Sequence, residues 1–421
     1  MTKWFLSRAR WWLYLALSAA LLMYARPPHA YAQGDVYYVA PYGDDNNPGT
    51  LEAPFRTLTR ARYAVHPGDT IYLRAGVYDI ENEMDISGTP DAPITIASYP
   101  GEWAVFDGTG APDGVKFRVT GSWLIFRHFE VRNGPSDGVL ITEGAGHNVF
   151  EHIVSHHNHF AGFELEYGAH DNVLHNCDAY ANFDADTYGE HADGFGVKFG
   201  VGPGNRLVHC RAWNNADDGF DLWEAGASVR LEGCWAYGNG FDRWGVGANF
   251  AGDGNGFKLG PGGPVVTHCV AWDNARRGFD FNDATEPEML YNNTSYRNPV
   301  GFNFHGAAHV LRNNLSFADG ALSLGPEVDD RFNSWNLPLT AGRATRGVRV
   351  TAADFLSLDD ATARGPRQPD GALPFTLFLH LRPTSDLVDA GVDIGEPWLG
   401  AAPDLGAFEG YLPPFPPGPR R

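Results

Sequence analysis

The middle of the chain repeats one motif four times, as HNCDAYAN (175–182), VHCRAWNN (208–215), EGCWAYGN (232–239) and THCVAWDN (267–274). Looser copies lie on either side, at 152–158 and 291–298. The asparagines that close the six copies are 24, 33, 24, 35 and 24 residues apart. A repeat of this length is typical of a solenoid, in which each copy forms one coil stacked on the previous one.

A glycine followed by a phenylalanine comes after each motif, and apolar and polar residues alternate behind it, as in Phe220-Asp221-Leu222. Alternation with a period of two is typical of a half-buried strand. Each copy therefore holds at least two short strands, and stacking the copies builds parallel sheets. The sequence predicts an all-β fold, a right-handed parallel β-helix, with the phenylalanines stacked inside it and the asparagines forming a hydrogen-bonded ladder at a turn.

Composition and charge exclude several classes of protein. Of the 421 residues, 51 are glycine and 29 are proline, while 43% are hydrophobic and 19% are charged. Such a chain is rich in turns and still able to bury a core, which excludes global disorder and a coiled coil. The net charge of −20 argues against binding to nucleic acid or to an anionic membrane. An anionic substrate would require a local reversal of this charge.

The first 32 residues have the pattern of a signal peptide. Basic residues precede an apolar stretch at 11–24, and Ala30-Tyr31-Ala32 supplies the small residues that signal peptidase requires. We expect cleavage before Gln33 and secretion into the medium, with no membrane contact afterwards. A retained anchor is the alternative, although the apolar stretch is short for a membrane span.

The rest of the chain reads as one domain. We expect the β-helix and catalytic domain at 33–411 and a Pro-rich disordered tail at 412–421. A short amphipathic helix at 54–61 is expected to cap the open first coil, whose unpaired edge would otherwise favour aggregation.

The four cysteines fall in one inward column of the repeat. Side chains at equivalent positions of neighbouring coils point the same way, which is poor geometry for a disulfide. We therefore predict buried free thiols, with disulfides as the alternative that an exported protein allows. The residues are Cys177, Cys210, Cys234 and Cys269.

Two copies of the repeat carry insertions. The separation between the ladder asparagine and the following column glycine is normally four residues, but it is twelve at 182–194 and seventeen at 239–256. These insertions precede and follow the coil that contains residues 217–223. Because long loops on a rigid scaffold commonly carry function, we expect them to wall a groove over that coil.

Four aspartates fall in register beside these insertions. Asp193 and Asp218 precede the column glycine in successive coils, and Asp217 and Asp221 lie next to them. Four converging carboxylates require a cation to neutralise them, and all-oxygen ligands select Ca²⁺, with Mg²⁺ less suited. The alternative is a solvated acidic turn, which Asp-Gly pairs commonly form.

Lys258 is the candidate catalytic base, because it lies one coil beyond Asp221 in the same outward column. A bound cation and a neighbouring arginine would lower its pKa toward neutrality; the alternative is a surface lysine in an ion pair. Lys198 is a weaker candidate for the base or for substrate binding. The remaining candidates for substrate binding are Arg243 and Arg277, for a carboxylate, and Trp223, for stacking on a sugar.

These residues resemble a known family. The run HADGFGVKFGVGPGNRLVHCRAWNNADDGFDLWEA (191–225), then GNGFKLGPGG (254–263) and HCVAWDNARRGFDFN (268–282), is similar to pectate lyases of polysaccharide lyase family nine. The resemblance covers about residues 35 to 410. It implies a pectin-lyase-like β-helix with Ca²⁺-dependent β-elimination on polygalacturonate. It also implies calcium on the four aspartates named above and the catalytic base at Lys258.

The function expected from the sequence is therefore that of a secreted, monomeric pectate lyase. Its partner would be pectate or another polyuronate, and its products would carry 4,5-unsaturated ends. One alternative is a β-helix hydrolase of the polygalacturonase type, which pairs two carboxylates around a water. Another is a non-catalytic exported β-helix that binds glycans, because a fold alone does not decide function.

Overall fold

The computed structural model describes residues 34–114, 116–337 and 349–410. The predicted signal peptide and the predicted tail lie outside these residues. Within them the chain winds through three parallel sheets in turn, as predicted for a parallel β-helix. Among the described residues, no helix is both long enough and apolar enough to span a membrane.

Each coil contributes one strand to sheet A, one to sheet B and one to sheet C, in that order along the chain. Sheet A contains Val36–Val39, Thr70–Leu73, Ile94–Ser98, Leu124–Arg127, Val149–Glu151, Val173–His175, Arg206–Val208, Arg230–Glu232, Val265–Thr267, Met289–Tyr291 and Val310–Arg312. Sheet B contains Gly76–Asp79, Ala104–Asp107, Phe129–Arg132, Val154–His156, Asp178–Tyr180, Arg211–Trp213, Trp235–Tyr237, Val270–Trp272, Thr294–Tyr296 and Leu315–Phe317. Sheet C contains Asn82–Met84, Phe117–Val119, Val139–Ile141, Phe163–Leu165, Phe195–Val197, Phe220–Asp221, Phe257–Lys258, Arg277–Asp280, Val300–Phe304 and Ala321–Leu324.

One short α-helix, Leu58–Arg62, overlaps the second half of the stretch 54–61 where the capping helix was expected. The Thr57 hydroxyl caps it by accepting a hydrogen bond from the Arg60 amide at 3.0 Å. Leu58 and Ala61 are buried in the same core as the first coils. Two single-turn 3₁₀-helices complete the helical content of the described chain, Gly247–Asn249 and Ala352–Asp354.

The phenylalanines of sheet C form the interior stack that the repeat predicts. Successive ring centroids lie 4.8 to 5.0 Å apart and the rings are close to parallel. All of them are completely buried. This spacing matches the distance between paired strands, so the stack holds the coils in register. The six residues are Phe163, Phe195, Phe220, Phe257, Phe279 and Phe302.

The asparagines form the predicted ladder at the turn between sheets B and C. From Asn158 to Asn274, the backbone amide of each ladder asparagine donates to the side-chain oxygen of the asparagine in the next coil, at 3.0 to 3.3 Å. The glycine column is required by this close packing. A Cβ on Gly219 would lie 2.6 Å from the Gly256 carbonyl oxygen and 3.0 Å from the Asn239 side-chain nitrogen.

The ladder ends on an aspartate, Asp319, whose Oδ1 accepts from the Asn298 amide at 2.8 Å. Burial raises the pKa of Asp319 to about 6 from its ordinary value of 3.8. Between these two pKa values the folded chain retains a proton that the unfolded chain releases. The free energy of unfolding therefore falls as the pH rises from 3.8 to about 6. We expect Asp319→Asn to raise the free energy of unfolding at pH 8 by about 3 kcal/mol. Urea denaturation at pH 8 and pH 4 tests this; an equal gain at both pH values would contradict it.

All four cysteines are buried free thiols, as predicted. Their sulfurs donate weak hydrogen bonds to main-chain carbonyls of sheet A, such as Cys210 Sγ to the Leu174 carbonyl at 3.3 Å. The column thus packs as a row of small apolar side chains.

Residues 349–410 cross the outer face of sheet B and build a second core there, which the sequence did not predict. Trp272 is completely buried beneath this segment, and its indole nitrogen donates to Asp360 at 3.0 Å. Further along sheet B, Arg367 donates to Asp178 at 2.7 Å and to the Cys177 carbonyl at 3.0 Å. The segment therefore braces coils that are far from it in sequence and leaves the outer face of sheet C open.

Candidate active site

A cleft lies on the outward face of sheet C, where neighbouring coils place their side chains in one column. Strand pairing puts Glu164, Gly196, Asp221, Lys258 and Asp280 at successive positions. The phenylalanine that precedes each of them points into the core, since side chains alternate along a strand. The register that groups Asp221 with Lys258 in the sequence is therefore the register of the structure.

The two insertions rise along one edge of this column and contact each other. The ring of Phe183 stacks on Trp244 with centroids 4.6 Å apart. The Ala251 amide donates to the Tyr188 carbonyl at 3.1 Å. Together with sheet C they bound a cleft of about 710 Å³, as expected for a walled groove.

Asp193, Asp218 and Asp221 each have one carboxylate oxygen fixed by a backbone amide. Asp193 Oδ1 accepts from the Asp218 amide at 3.0 Å, and Asp218 Oδ1 accepts from the Asn255 amide at 2.6 Å. Asp221 Oδ1 accepts from the Trp223 amide at 2.9 Å. These bonds leave the second oxygen, Oδ2, of each carboxylate for other partners.

Asp193, Asp218 and Asp221 form a buried trio in which one oxygen of each carboxylate lies within 4.8 Å of the others. A second trio shares Asp218 and adds Asp217 and Asp253. The structure thus brings together all four predicted aspartates. Asp253 was missed because it lies in the second insertion, where the repeat register gives no position.

Two lysines lie against these carboxylates, Lys198, which is buried, and Lys258, which is half-buried. Lys198 Nζ lies 2.5 Å from Asp193 Oδ2 and 3.1 Å from Asp221 Oδ2. Lys258 Nζ lies 3.2 Å from Asp218 Oδ2 and 3.4 Å from Asp221 Oδ2. Lys198 therefore contacts Asp193 and Asp221 directly. The sequence placed it only on the same coil as Asp193.

Burial raises the pKa of the Asp193, Asp217 and Asp218 carboxyls, and repulsion from the neighbouring aspartates raises it further. Burial lowers the pKa of Lys258, but the charges of these aspartates outweigh it, so its pKa lies above the ordinary value. A Lys258 that is neutral near physiological pH therefore requires another cation to offset the aspartates.

The donor set fits Ca²⁺. Oδ2 of Asp218 is buried, and in the described chain it accepts no hydrogen bond and pairs only with the Lys258 ammonium, 3.2 Å away. A buried carboxylate oxygen without a donor is costly, and it is the arrangement expected of a ligand atom. The set offers oxygen atoms alone, which are hard ligands suited to Ca²⁺. Asp193, Asp218 and Asp221 would hold the ion, with Asp217 beside them.

The predicted substrate-binding residues differ in where they lie. Trp223 lines the cleft with 43% of its surface exposed, and Phe199 packs edge-on against it at 5.4 Å. Arg277 forms an ion pair with Asp280 at 2.7 Å, one coil beyond Lys258. Arg243 is not brought into the cleft: its guanidinium donates to the Gly238 carbonyl at the end of sheet B.

Comparison with known proteins identifies the family of this chain. Residues 37–314 match the family described as Pel9A-like, right handed beta helix region. The chain belongs to this family. The match confirms the resemblance seen in the sequence and the right-handed parallel β-helix.

Curated relatives in this family are similar over most of the chain. "Pectate lyase L" of Dickeya dadantii (strain 3937) is 39% identical over 399 residues, which cover 89% of this chain and 90% of the relative. "Pectate lyase PEL9" of Emericella nidulans is 34% identical over 411 residues, covering 87% and 95%.

Two solved structures are similar in fold and in sequence. The crystal structure of pectate lyase Pel9A superposes with a TM-score of 0.82 at 38% identity, covering 90% of this chain and 98% of that one. A structure titled rhamnogalacturonan lyase superposes with a TM-score of 0.70 at 27% identity, covering 83% and 97%.

Proposed function

We propose that the chain is a secreted, calcium-dependent pectate lyase that cleaves α-1,4-linked polygalacturonate by β-elimination. The observation that carries this proposal is the buried trio of aspartates beside Lys258 in an open cleft. Family membership supports the reaction class, because its curated relatives are named as pectate lyases. The leader pattern at residues 1–32 supports secretion.

Calcium bound at the aspartates would polarise the uronate carboxylate as a Lewis acid and offset the negative charge of the cleft. Lys258 would accept the C5 proton, which is weakly acidic beside the C6 carboxylate. Its Nζ is held 3.2 Å from Asp218 and 3.4 Å from Asp221, so the base has a fixed position at the floor of the cleft. Trp223 and Phe199 line the same cleft as Lys258 and would present aromatic surface to a sugar ring bound there.

Elimination then breaks the bond between C4 and its oxygen and forms the C4–C5 double bond. The leaving oxygen takes a proton from water. Because Lys258 acts only as the neutral amine, activity should increase with pH in the alkaline range.

The proposal is tested by absorbance near 235 nm, where the unsaturated product absorbs. With polygalacturonate at alkaline pH, we expect a rise with Ca²⁺ and at least a ~100-fold slower rise with a chelator. Chelated enzyme resupplied with Ca²⁺ serves as the control and should recover its rate.

Each other result contradicts part of the proposal. New reducing ends without absorbance would indicate a hydrolase. Absorbance with rhamnogalacturonan but not polygalacturonate would replace the substrate and keep the elimination. Silence on both polymers, with binding to either, would indicate a non-catalytic glycan-binding protein.

A further inference from the structure

Lys198 occupies the place where a cation would be held. Its side chain is buried, with 8% of the residue exposed. Its Nζ lies 2.5 Å from Asp193 Oδ2 and 3.1 Å from Asp221 Oδ2. Those two oxygens are the ones that backbone amides leave available in the trio. An ammonium and a divalent ion repel each other and require the same lone pairs, so both cannot occupy this position.

Glu164 lies near Lys198, and in the described chain its Oε1 has no hydrogen-bond partner. It occupies the outward column one coil before Gly196, and only 6% of the residue is exposed. A Cβ on Gly196 would lie 1.8 Å from Glu164 Oε2, so the carboxylate lies directly over the glycine backbone. Within the described chain, Glu164 Oε1 accepts no hydrogen bond, and the residue lines the cleft.

The other carboxylates on this side of the cleft already have partners. Asp137 faces Lys116 at 3.6 Å, and Glu166 accepts from the Thr142 hydroxyl at 3.3 Å. Glu164 is therefore the free acceptor next to Lys198. Burial is the larger effect on Glu164 and raises its pKa above the ordinary value, while the charge of Lys198 lowers that pKa, so the two side chains interact electrostatically.

We propose that Lys198 is an internal counter-ion of the aspartate trio that moves onto Glu164 when calcium binds, so that this pair sets the calcium affinity. The inference rests on the calcium site of the proposed function. The flexible four-carbon stem of lysine allows the move, and the absence of a side chain at Gly196 leaves room for the Glu164 carboxylate that would receive the ammonium. Lys198 and Glu164 are thus positioning residues, and neither takes a proton from the substrate.

Calcium titration by calorimetry on the full-length protein tests the proposal without relying on activity. Lys198→Met should lower the calcium Kd by about tenfold, because no ammonium has to leave. Glu164→Gln should raise the Kd by about tenfold, because the displaced ammonium lacks an acceptor. In the double variant the Glu164 substitution should matter by less than about twofold, which is the signature of coupling. Glu166→Gln is the matched control, with the same charge change in the same cleft, and should shift the Kd by less than about twofold.

Additive effects of the Lys198 and Glu164 substitutions, or a Kd unchanged by Lys198→Met, would overturn the inference. Circular dichroism verifies folding, and Lys198→Gln replaces Lys198→Met if the latter does not fold. A crystal structure with calcium gives a direct reading: Lys198 Nζ should lie within hydrogen-bond distance of Glu164. If the wild-type protein binds no calcium at all, the proposed function fails instead, and the two failures are thereby separated.

Discussion

Lys258→Ala is expected to lower kcat on polygalacturonate by about 1,000-fold or more, because a positioned general base contributes about 10² to 10⁴ in rate. The side chain is the only one in the described chain that we assign to proton removal. Its loss also removes a positive charge beside Asp218 and Asp221, so the calcium affinity should be retained or increased. A loss of kcat without a loss of calcium binding separates the base from a structural ion pair.

The matched control for this variant is Lys116→Ala. Lys116 lies on the same side of the solenoid, where it faces Asp137 at 3.6 Å, and it is not part of the aspartate trio. Its kcat should remain within about twofold of the wild type. The wild-type rate should rise with pH through the alkaline range, whereas the residual rate of Lys258→Ala should not follow that rise. An active Lys258→Ala protein would assign the base elsewhere.

Asp218→Asn is expected to weaken calcium binding by about 100-fold and to lower activity in proportion when calcium is limiting. Asp218 belongs to both aspartate trios, and its Oδ2 is buried and receives no hydrogen bond in the described structure. The substitution keeps the oxygen that accepts from the Asn255 amide and replaces the other by an amide group. An amide nitrogen is no calcium ligand and would face the ammonium of Lys258.

Asp280→Asn is the control for this change. Asp280 follows Lys258 in the outward column, but it is paired with Arg277 and accepts from Asn303 at 2.6 Å. Its calcium Kd should remain within about threefold. Calcium titration of both variants gives the two Kd values. Equal calcium affinities of Asp218→Asn and Asp280→Asn would show that Asp218 is not a calcium ligand.

The sequence predicts the parts of the molecule that repeat. Because one coil follows another at a fixed spacing, the position of Asp221 relative to Lys258 can be derived from counting residues alone. The same register identifies the phenylalanine stack and the asparagine ladder. Calcium on these aspartates and proton removal by Lys258 remain predictions that the variants above test.

What repeats cannot predict are contacts made by segments outside the register. Asp253 joins the aspartates through a loop whose path depends on Trp244 and Ala251 packing against the other insertion. Glu164 Oε1 lacks a hydrogen bond in the described chain, whereas the nearby acids Asp137 and Glu166 have partners. The repeat does not encode these pairings. Arg243 could not be placed either, because its loop turns toward sheet B.

The segment 349–410 has a consequence for how the protein is made and how it comes apart. In a plain solenoid each coil touches only its neighbours, so the terminal coil can peel away by itself. Here Arg367 is anchored to Asp178 across an interval of 189 residues, which spans several coils. The coils can stack while the chain is still being synthesised, but the contact between Arg367 and Asp178 forms only after residue 367 has been made. Once segment 349–410 has docked, a coil that it covers on sheet B can unfold only if the segment is released as well. Unfolding from the end of the solenoid therefore becomes cooperative.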